Sequence, residues 1–340
     1  MKAVILEELN NPLVVKNVEL TPLKVGQVLV KVLVSGLCGS QLHEIRGHKG
    51  NAKFLPHLMG HEGCGIVEEV GLGVTTVKVG DKVVMHWRAG EGIEAPFPEY
   101  ILEGKKISSG KVTTLSEYSI VSENRLTSVP HETPNELCAL LGCGLTTALG
   151  IIDNEIDLKL GESVAIVGCG GVGLSLIQGA SLHSAYPIVA IDRIEAKKHL
   201  ALTLGASTFC GSSKECSNMG PFDVIIDTTG NVGVIGEMSK HLSSNGRMVL
   251  VGQPHPEESL FIPNGINLFG GKGKIIKATQ GGKTNPTEDI PRYIKMNKAG
   301  ILDIKKAITH IFTLSQINEA FSVLRTGKGG RIMIKVGENK

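Results

Sequence analysis

Hydrophobic and polar residues alternate over short stretches in the first part of the chain, from Met1 to about Leu149. Segments such as Val28–Val34, Gly65–Val70 and Lys82–Met85 are apolar or alternating, and glycine-containing turns separate them. Short strands with this spacing are typical of antiparallel sheets, so the pattern predicts a β-rich, barrel-like domain.

A different rhythm begins at about Gly161, where strands, glycine turns and helices follow one another. Strands are predicted at Ser163–Val167, Ile188–Ile191, Asp223–Ile226, Met248–Val251 and Lys274–Ile276. Helices are predicted at Val172–Leu182 and at Glu195–Leu204, the latter closed by Gly205, and Asn245-Gly246 is expected to form a turn before the fourth strand. Such alternation predicts an α/β fold with a parallel, doubly wound sheet. Beyond it, Ser315–Leu324 predicts an amphipathic helix and Arg331–Val336 an alternating strand.

Composition excludes several classes of function. The 340 residues suit two domains, and 35 basic against 33 acidic residues give a net charge of only +2. With 1 Trp, 4 Tyr and 8 Phe and no long charged run, we expect no nucleic-acid or membrane partner. The first apolar run stops at Glu7, too early for a signal peptide, so a cytoplasmic location is expected. Seven cysteines favour metal ligands and free thiols over a disulfide framework.

The segment Gly168-Cys169-Gly170-Gly171-Val172-Gly173 matches the G-x-G-x-x-G fingerprint, with a predicted strand leading in and a predicted helix leading out. In this context the first glycine permits the turn, the second lets backbone amides approach a pyrophosphate, and the last allows close helix packing. The same context argues against a membrane span for residues 163–191, although that run carries no charged side chain. The sequence therefore predicts a dinucleotide site.

An acidic residue, Asp192, follows the second predicted strand of that domain. A carboxylate there accepts hydrogen bonds from the adenosine ribose and repels a 2′-phosphate, which favours NAD over NADP. Arg193 beside it can pair with that phosphate, so NADP stays the less favoured alternative.

The β-rich part contains dispersed metal-ligand types: Cys38, His61 and Cys143. Two thiolates, one imidazole and an open position form a catalytic zinc set. Without a C-x-x-C or H-E-x-x-H motif, however, the residues alone leave open whether these cysteines are ligands or small buried hydrophobic side chains.

Further motifs give the chain a family resemblance that runs through most of its length. They are Gly60-His61-Glu62, Gly65, Val67, Val70-Gly71, Val77, Gly80-Asp81, Val83, Leu141-Gly142-Cys143-Gly144, the glycine loop, Gly281-Gly282-Lys283, Asp289-Ile290-Pro291-Arg292, Ile317-Asn318-Glu319-Ala320 and Gly330-Arg331. Together they resemble the zinc-containing alcohol dehydrogenases of the medium-chain dehydrogenase/reductase superfamily. The resemblance implies a GroES-like catalytic domain (1–149 and 282–340) with an inserted Rossmann NAD domain (150–281), an active site in the cleft between them, and a homodimer or homotetramer.

The resemblance also implies roles for individual residues in the oxidation of a small-molecule alcohol or the reduction of its carbonyl product. Cys38, His61 and Cys143 would bind one zinc ion per chain, Glu62 would lie beside the metal, and Ser40 and His43 would form a proton relay. Trp87 would line the substrate pocket. The cofactor contacts would be the glycine loop, Asp192, Arg193, Lys197 and Arg331, the last on the pyrophosphate.

Three departures from the family pattern affect these expectations. No cysteine lies between Cys64 and Cys138, so a second, structural zinc is not expected. Gln41 replaces the aspartate that usually orients the ligand histidine, and Gly39 replaces a basic residue that often contacts the pyrophosphate.

The substrate is left open by the sequence. His86 and Arg88 flank Trp87, and His48 and Lys49 lie between two predicted ligands, which favours a polar, anionic or polyhydroxylated alcohol if these side chains face the site. The alternatives are a polyol- or threonine-type dehydrogenase, a zinc-independent quinone or enoyl reductase, and a catalytically silent NAD-binding protein.

Overall fold

The computed structural model describes residues 1–271 and 273–337, which form two compact units. The first comprises residues 1–146, 285–300 and the chain from 308 onward, and the second comprises 147–284 and 301–307. The sequence predicted boundaries at 149/150 and 281/282; the units divide at 146/147 and 284/285. Residues 147–284 therefore separate the amino-terminal part of the first unit from its later segments.

The first unit is organised around a mainly antiparallel sheet. In spatial order its strands are Leu126–Val129, Lys82–Met85, Gly63–Val70, Gln27–Gly36, Arg331–Lys335 and Ile308–Thr313, and Tyr118–Ser122 also pairs with Gln27–Gly36. Two smaller sheets consist of Val14–Asn17, Lys2–Leu6 and His57–Leu58, and of Glu19–Leu20, Tyr100–Leu102 and Lys105–Ile107. The helices that accompany them are Gly39–Ile45, Asn135–Leu141, Gly144–Gly150 (which runs into the second unit), Pro286–Lys298 and Ile317–Thr326. The β-rich prediction for this part of the chain is confirmed.

Alternation along the long strand Gln27–Gly36 explains the core of this unit. Val28, Val30 and Val32 point to one side and are buried with Phe321 of the C-terminal helix. That helix, Ile317–Thr326, presents Ile317, Ala320 and Phe321 at helical spacing, so its apolar stripe covers the sheet. The amphipathic helix predicted at the C-terminal end is thereby confirmed.

The second unit contains an all-parallel sheet, as predicted. Its strands lie in the order Thr208–Cys210, Ile188–Ile191, Val164–Val167, Phe222–Asp227, Leu242–Leu250 and Ile275–Ala278. In chain order this is 3-2-1-4-5-6, the order of dinucleotide-binding sheets. The helices between the strands are Gly171–Leu182, Lys198–Thr203 and Val232–Ser239, and Ile151–Ile156 precedes the first strand.

Both faces of this parallel sheet are covered, which explains why its strands are continuously apolar. Val164 and Ile166 pack into one core, and the intervening Ala165 and Val167 pack into another on the opposite face. All four side chains of Val164–Val167 are buried. The uncharged run 163–191 is thus a buried strand, a glycine loop, a helix and a second buried strand.

The helix expected at 195–204 is confirmed, as a 3₁₀ turn, Glu195–Lys197, that continues into the α-helix Lys198–Thr203. Two local expectations were wrong. Asn245-Gly246 lies inside the strand Leu242–Leu250 rather than in a turn before it, and the pairing register with the neighbouring strand shifts there. The strand Arg331–Lys335 buries its first four side chains, because it lies between two other strands rather than exposing one face.

Within the described residues, no single helix is long and apolar enough to cross a membrane. One bent helix pair, Asn135–Leu141 with Gly144–Ile156, passes such a test on length and composition only.

Candidate metal centre and nucleotide-binding loop

Three of the predicted ligands converge in the first unit. The ligand atoms of Cys38, His61 and Cys143 all lie within 4.8 Å of one another, and in the part of the chain that the structure describes this is the one group of three or more metal-ligand side chains. Cys38 precedes the helix Gly39–Ile45, His61 precedes the strand Gly63–Val70, and Cys143 lies between two helices. The fold therefore collects donors from three separate segments.

The glycines around Cys143 are required by close packing. A side chain at Gly142 would collide with the Met85 carbonyl oxygen and lie 2.8 Å from Cα of Glu62. A side chain at Gly144 would collide with the Arg331 guanidinium. These two glycines let the turn that carries Cys143 reach the strand end that carries His61.

The protonation of the two thiols suits a metal that binds thiolates. The hydrogen bond between Cys38 and Cys143 holds the pKa of Cys38 well below its usual range. The neighbouring His61 lowers this pKa further. The same hydrogen bond, together with burial, raises the pKa of Cys143 well above its usual range. A metal cation that replaces the shared proton allows both sulfurs to bind as thiolates. Two thiolates with one imidazole are a ligand set that zinc prefers. The donor set therefore fits zinc.

A buried ion pair supports this centre. The Glu62 side chain is fully buried, and its two carboxylate oxygens lie 2.7 and 2.9 Å from Nη2 of Arg331. The backbone N–H of Gly144 also donates to Glu62 at 3.2 Å. Burial raises the pKa of Glu62, although the guanidinium acts in the opposite direction. Glu62 thus lies next to the predicted ligand His61 and is hydrogen-bonded to the residue after the predicted ligand Cys143.

Arg331 is 3% exposed, and its guanidinium contacts Glu62. The expected contact of Arg331 with a pyrophosphate stays a prediction.

Gln41, at the position of the family's aspartate, holds the backbone of the predicted ligand Cys38. Its Oε1 accepts the Cys38 backbone N–H at 2.9 Å. The side chain is fully buried, and its Nε2 has no hydrogen-bond partner among the described residues. The glutamine therefore fixes the start of the helix Gly39–Ile45 through its carbonyl oxygen, a role that needs no negative charge.

The two predicted relay residues lie on that helix. The Ser40 hydroxyl donates to Cys38 Sγ at 3.3 Å, so it lies beside the metal ligands. His43 is one helical turn further along and half-buried, and its ring lies 5.6 Å from that of His48. Burial and then the positive charges of His48, Arg46 and Lys49 lower the pKa of His43. His43 is therefore largely neutral at pH 7 and able to accept a proton.

Residues around Trp87 correct one expectation. His86 is buried, with Nδ1 at 2.7 Å from the Arg88 carbonyl oxygen and Nε2 at 2.9 Å from the Thr127 hydroxyl. Burial lowers the pKa of His86 to about 4, so it is neutral and unavailable to a substrate. Trp87 is half-buried, and its backbone N–H donates to the Gly142 carbonyl oxygen at 3.3 Å. The Arg88 guanidinium lies 5.7 Å from the centre of the Trp87 ring.

In the second unit the glycine loop has the geometry that its sequence predicts. Gly168 has φ +90°, and Gly170 precedes the helix Gly171–Leu182 with open space around its Cα. A side chain at Gly173 would overlap the Gly168 carbonyl oxygen, so only glycine allows the helix to start this close to the strand. Val172 belongs to the first turn of that helix.

The residues expected to contact the adenosine ribose lie near this loop. The Asp192 carboxylate accepts N–H groups from Cys169 at 2.7 Å and Ile194 at 2.9 Å, which fixes it at the end of its strand. Lys197 is buried, and burial lowers its pKa. Arg193 is exposed.

Sequence analysis missed Thr228, which braces the loop. Its hydroxyl lies 2.9 Å from the Val167 carbonyl and 3.0 Å from the Gly168 carbonyl. It follows the strand Phe222–Asp227, which pairs directly with Val164–Val167. Because the two segments are some 60 residues apart in sequence, only the strand order reveals the contact.

Comparisons with known proteins agree with this geometry. Two family models match, an "Alcohol dehydrogenase GroES-like domain" over residues 24–131 and a "Zinc-binding dehydrogenase" over residues 171–298. Alcohol dehydrogenase 3 of Hordeum vulgare is 30% identical and is aligned over 99% of this chain and 97% of its own length. An S-(hydroxymethyl)glutathione dehydrogenase of Escherichia coli O1:K1 is 29% identical, over 95% of this chain and 96% of its own. The solved structure of an alcohol dehydrogenase zinc-binding domain protein from Burkholderia ambifaria superposes with a TM-score of 0.89 at 26% identity over 99% of both chains.

Proposed function

Because the chain belongs to the zinc-containing alcohol dehydrogenases of the medium-chain superfamily, we propose that it transfers a hydride between a primary or secondary alcohol and NAD. The product is an aldehyde or a ketone. The observation that carries the proposal is the convergence of Cys38, His61 and Cys143 on one point. A zinc-independent reductase on the same fold has no need for this set.

Cys38, His61 and Cys143 would hold the zinc ion. Zinc bound in this way acts as a Lewis acid and makes the hydroxyl of a bound alcohol easier to deprotonate. The chain's own part is to hold the two sulfurs and the imidazole close together, with the pKa of Cys38 lowered so that this sulfur is ready as a thiolate. Glu62 contributes a negative charge next to His61, and Arg331 limits its electrostatic cost.

Ser40 and His43 would carry the proton away from the substrate. The Ser40 hydroxyl lies against the ligand Cys38, so it can accept a hydrogen bond from a substrate hydroxyl and pass a proton on. His43 lies three residues further along the same helix, and its lowered pKa keeps it in the form that accepts a proton. The relay takes the proton toward the half-exposed imidazole.

In the second unit, Gly168, Gly170, Gly171, Val172 and Gly173 would cradle the pyrophosphate of the nucleotide. NAD supplies the hydride acceptor, and the protein supplies its position. Asp192 is held by two backbone N–H groups and would accept the ribose hydroxyls, which favours NAD. Lys197 and Arg193 are the cations near it.

For the substrate we propose a small alcohol that carries further polar groups. Trp87 supplies an apolar wall, and Arg88 above it and exposed Lys49 are the cations that remain once His86 is excluded. A polyol is one member of this class.

The deciding experiment combines metal analysis with a substrate panel. Purified chain should contain one zinc ion, and with added zinc it should produce NADH from some member of a panel of alcohols and polyols, with NADP tested in parallel. His61→Ala should lose both the metal and turnover, whereas Cys210→Ala, a buried cysteine of the second unit, should keep both. Full turnover by the His61 variant would overturn the proposal.

A homodimer or homotetramer is proposed as the assembly. The second unit exposes Phe261, Ile266 and Phe269 at 75%, 78% and 80%, together with Ile275 on the edge strand of its sheet. Exposed apolar groups of this size favour association. Light scattering would test it, and a monomer at all concentrations would contradict it.

A cytoplasmic location is also proposed. All seven cysteines are free thiols, which suits a reducing compartment. Cell fractionation with an antibody against the protein would test this proposal.

A further inference from the structure

The first unit has a cavity of about 260 Å³ beside the helix Gly39–Ile45, on residues that the proposed reaction does not use. Its lining includes Asn10, Asn11, Leu42, Arg46, Asn318 and Arg325. The cavity lies between three segments: the loop after the first strand, the end of the helix Gly39–Ile45, and the C-terminal helix Ile317–Thr326.

The walls of this cavity are fixed by hydrogen bonds. The backbone N–H of Asn10 donates to the Ile45 carbonyl at 2.9 Å, which ties the loop to the first helix. The Asn318 side chain accepts the Leu13 N–H at 2.9 Å and donates to the Leu13 carbonyl at 2.8 Å, which ties the same loop to the C-terminal helix. A ligand would therefore bind to a preformed site, without first having to order a flexible loop.

Two positive charges share the cavity, and no residue of its lining is acidic. Within the described residues, neither the Arg46 nor the Arg325 guanidinium makes an ion pair or a side-chain hydrogen bond, and both residues are exposed. Each arginine suits the C-terminal end of its own helix, but that does not explain why both line one cavity. The nearby carboxylate of Glu8 accepts a hydrogen bond from Asn11 at 2.6 Å.

We propose that this cavity binds a small molecule with an oxyanion group, either a carboxylate or a phosphate ester. Guanidinium groups bind both kinds of oxyanion through paired N–H donors. Leu42, Ile45 and Pro12 give the cavity an apolar part, which suits a short carbon chain attached to the anion. The volume is near the lower limit of small-molecule pockets, so the ligand is smaller than a nucleotide.

Binding at this cavity is coupled to the helix that carries the relay. Leu42, Ile45 and Arg46 are spaced i, i+3 and i+4 and share one side of that helix, whereas Ser40 and His43 lie toward the opposite side. A ligand in the cavity therefore contacts the back of the helix whose front bears the relay. This coupling, unlike the binding itself, rests on the proposed function.

Titration calorimetry on the zinc-loaded full chain tests the binding. Inorganic phosphate and succinate are titrated separately at constant ionic strength, with NAD present to occupy the glycine loop. Arg46→Gln and Arg325→Gln should each weaken binding at least about tenfold, and Arg325→Lys should weaken it less. Lys328→Gln, an exposed cation three residues further on, is the matched control and should bind as the parent chain does.

The outcomes distinguish a phosphate ligand from a carboxylate ligand, and they test the anion site separately from the proposed dehydrogenase activity. Binding of phosphate alone identifies a phosphorylated ligand, and binding of succinate alone identifies a carboxylate. Equal affinities of the parent chain and both glutamine variants, or no heat with either anion, would overturn the site. Since the assay needs no turnover, it stays decisive if the dehydrogenase proposal fails. Where turnover is found, unchanged kcat and KM at saturating anion would overturn the coupling to Ser40 and His43.

Discussion

Removing the Arg331 guanidinium should destabilise the first unit strongly. Arg331→Met keeps most of the side-chain volume but leaves the Glu62 carboxylate buried. Among the described residues, only the Gly144 backbone N–H, at 3.2 Å, still donates a hydrogen bond to it. Breaking such a buried pair from one side costs about 3–5 kcal/mol, most of it the cost of the unpaired charge. In Glu62→Gln/Arg331→Met that charge is absent, so stability should return to within about 1 kcal/mol of the parent chain.

Urea unfolding followed by tryptophan fluorescence measures this difference. Trp87 is the one tryptophan in the sequence and lies in the first unit, so the signal reports that unit. All variants should be compared with zinc present and at equal protein concentration, because bound metal adds to apparent stability. The slope m should stay constant, so that a shift of the midpoint measures a change in free energy.

The pH dependence gives a second check on the same variant. Burial already raises the pKa of Glu62 in the parent chain, and loss of the arginine should raise it further. An acid whose folded-state pKa is raised costs stability at pH values above that pKa, and the cost disappears as the carboxyl becomes protonated. The deficit of Arg331→Met should therefore shrink as the pH is lowered. A single variant within 1 kcal/mol of the parent chain, or a double variant no more stable than the single one, would refute the reasoning.

Three further outcomes are expected. Gly173→Ala places a methyl group against the Gly168 carbonyl oxygen. The variant should therefore have a Tm lower by several degrees and an NADH affinity lower by at least about tenfold. A Tm equal to that of the parent chain would contradict the packing argument. Partial burial acts to raise the pKa of Glu94, but hydrogen bonds, the strongest of them from Lys111, hold this pKa at about 2. The ionised Glu94 carboxylate should stabilise the fold by about 1 kcal/mol, because the group is largely exposed; this contribution is present above pH 4.5 and is lost toward pH 2. The urea midpoints of the parent chain and Glu94→Gln should therefore converge at low pH. Asp192→Ala should weaken NAD binding about tenfold and narrow the preference over NADP, as measured by fluorescence titration; an unchanged preference would exclude the ribose contact.

The nucleotide loop could be predicted from sequence because its information is local. The strand, the three glycines and the helix follow one another directly. Gly168 has a positive φ, Gly173 lies against the Gly168 carbonyl oxygen, and Gly170 leaves open space before the helix. The apolar strands of the second unit were likewise visible, since a strand buried on both faces has no polar side to obscure it.

The metal centre was only partly predictable. The residue types of Cys38, His61 and Cys143 indicated zinc chemistry, but Cys143 reaches the other two only through the packing of Gly142 and Gly144, which no local pattern shows. His86 looked available because it adjoins Trp87, and its bond to Thr127, 41 residues away, is tertiary. Asn245-Gly246 carried a turn signal, but these residues lie within the strand Leu242–Leu250, where its register with the neighbouring strand shifts.

The distance along the chain between Glu62 and Arg331 has a consequence for biosynthesis. Cys38, His61 and Cys143 all leave the ribosome before the second unit. Arg331, which pairs with Glu62, is synthesised 269 residues after Glu62. At roughly 5–20 residues per second, about 13–54 seconds pass between the synthesis of the two partners. During that interval the amino-terminal segment contains all three predicted zinc ligands but lacks both the strand Arg331–Lys335 and the counter-ion of Glu62. The predicted metal centre can therefore reach its final form only after the strand Arg331–Lys335 has joined the sheet.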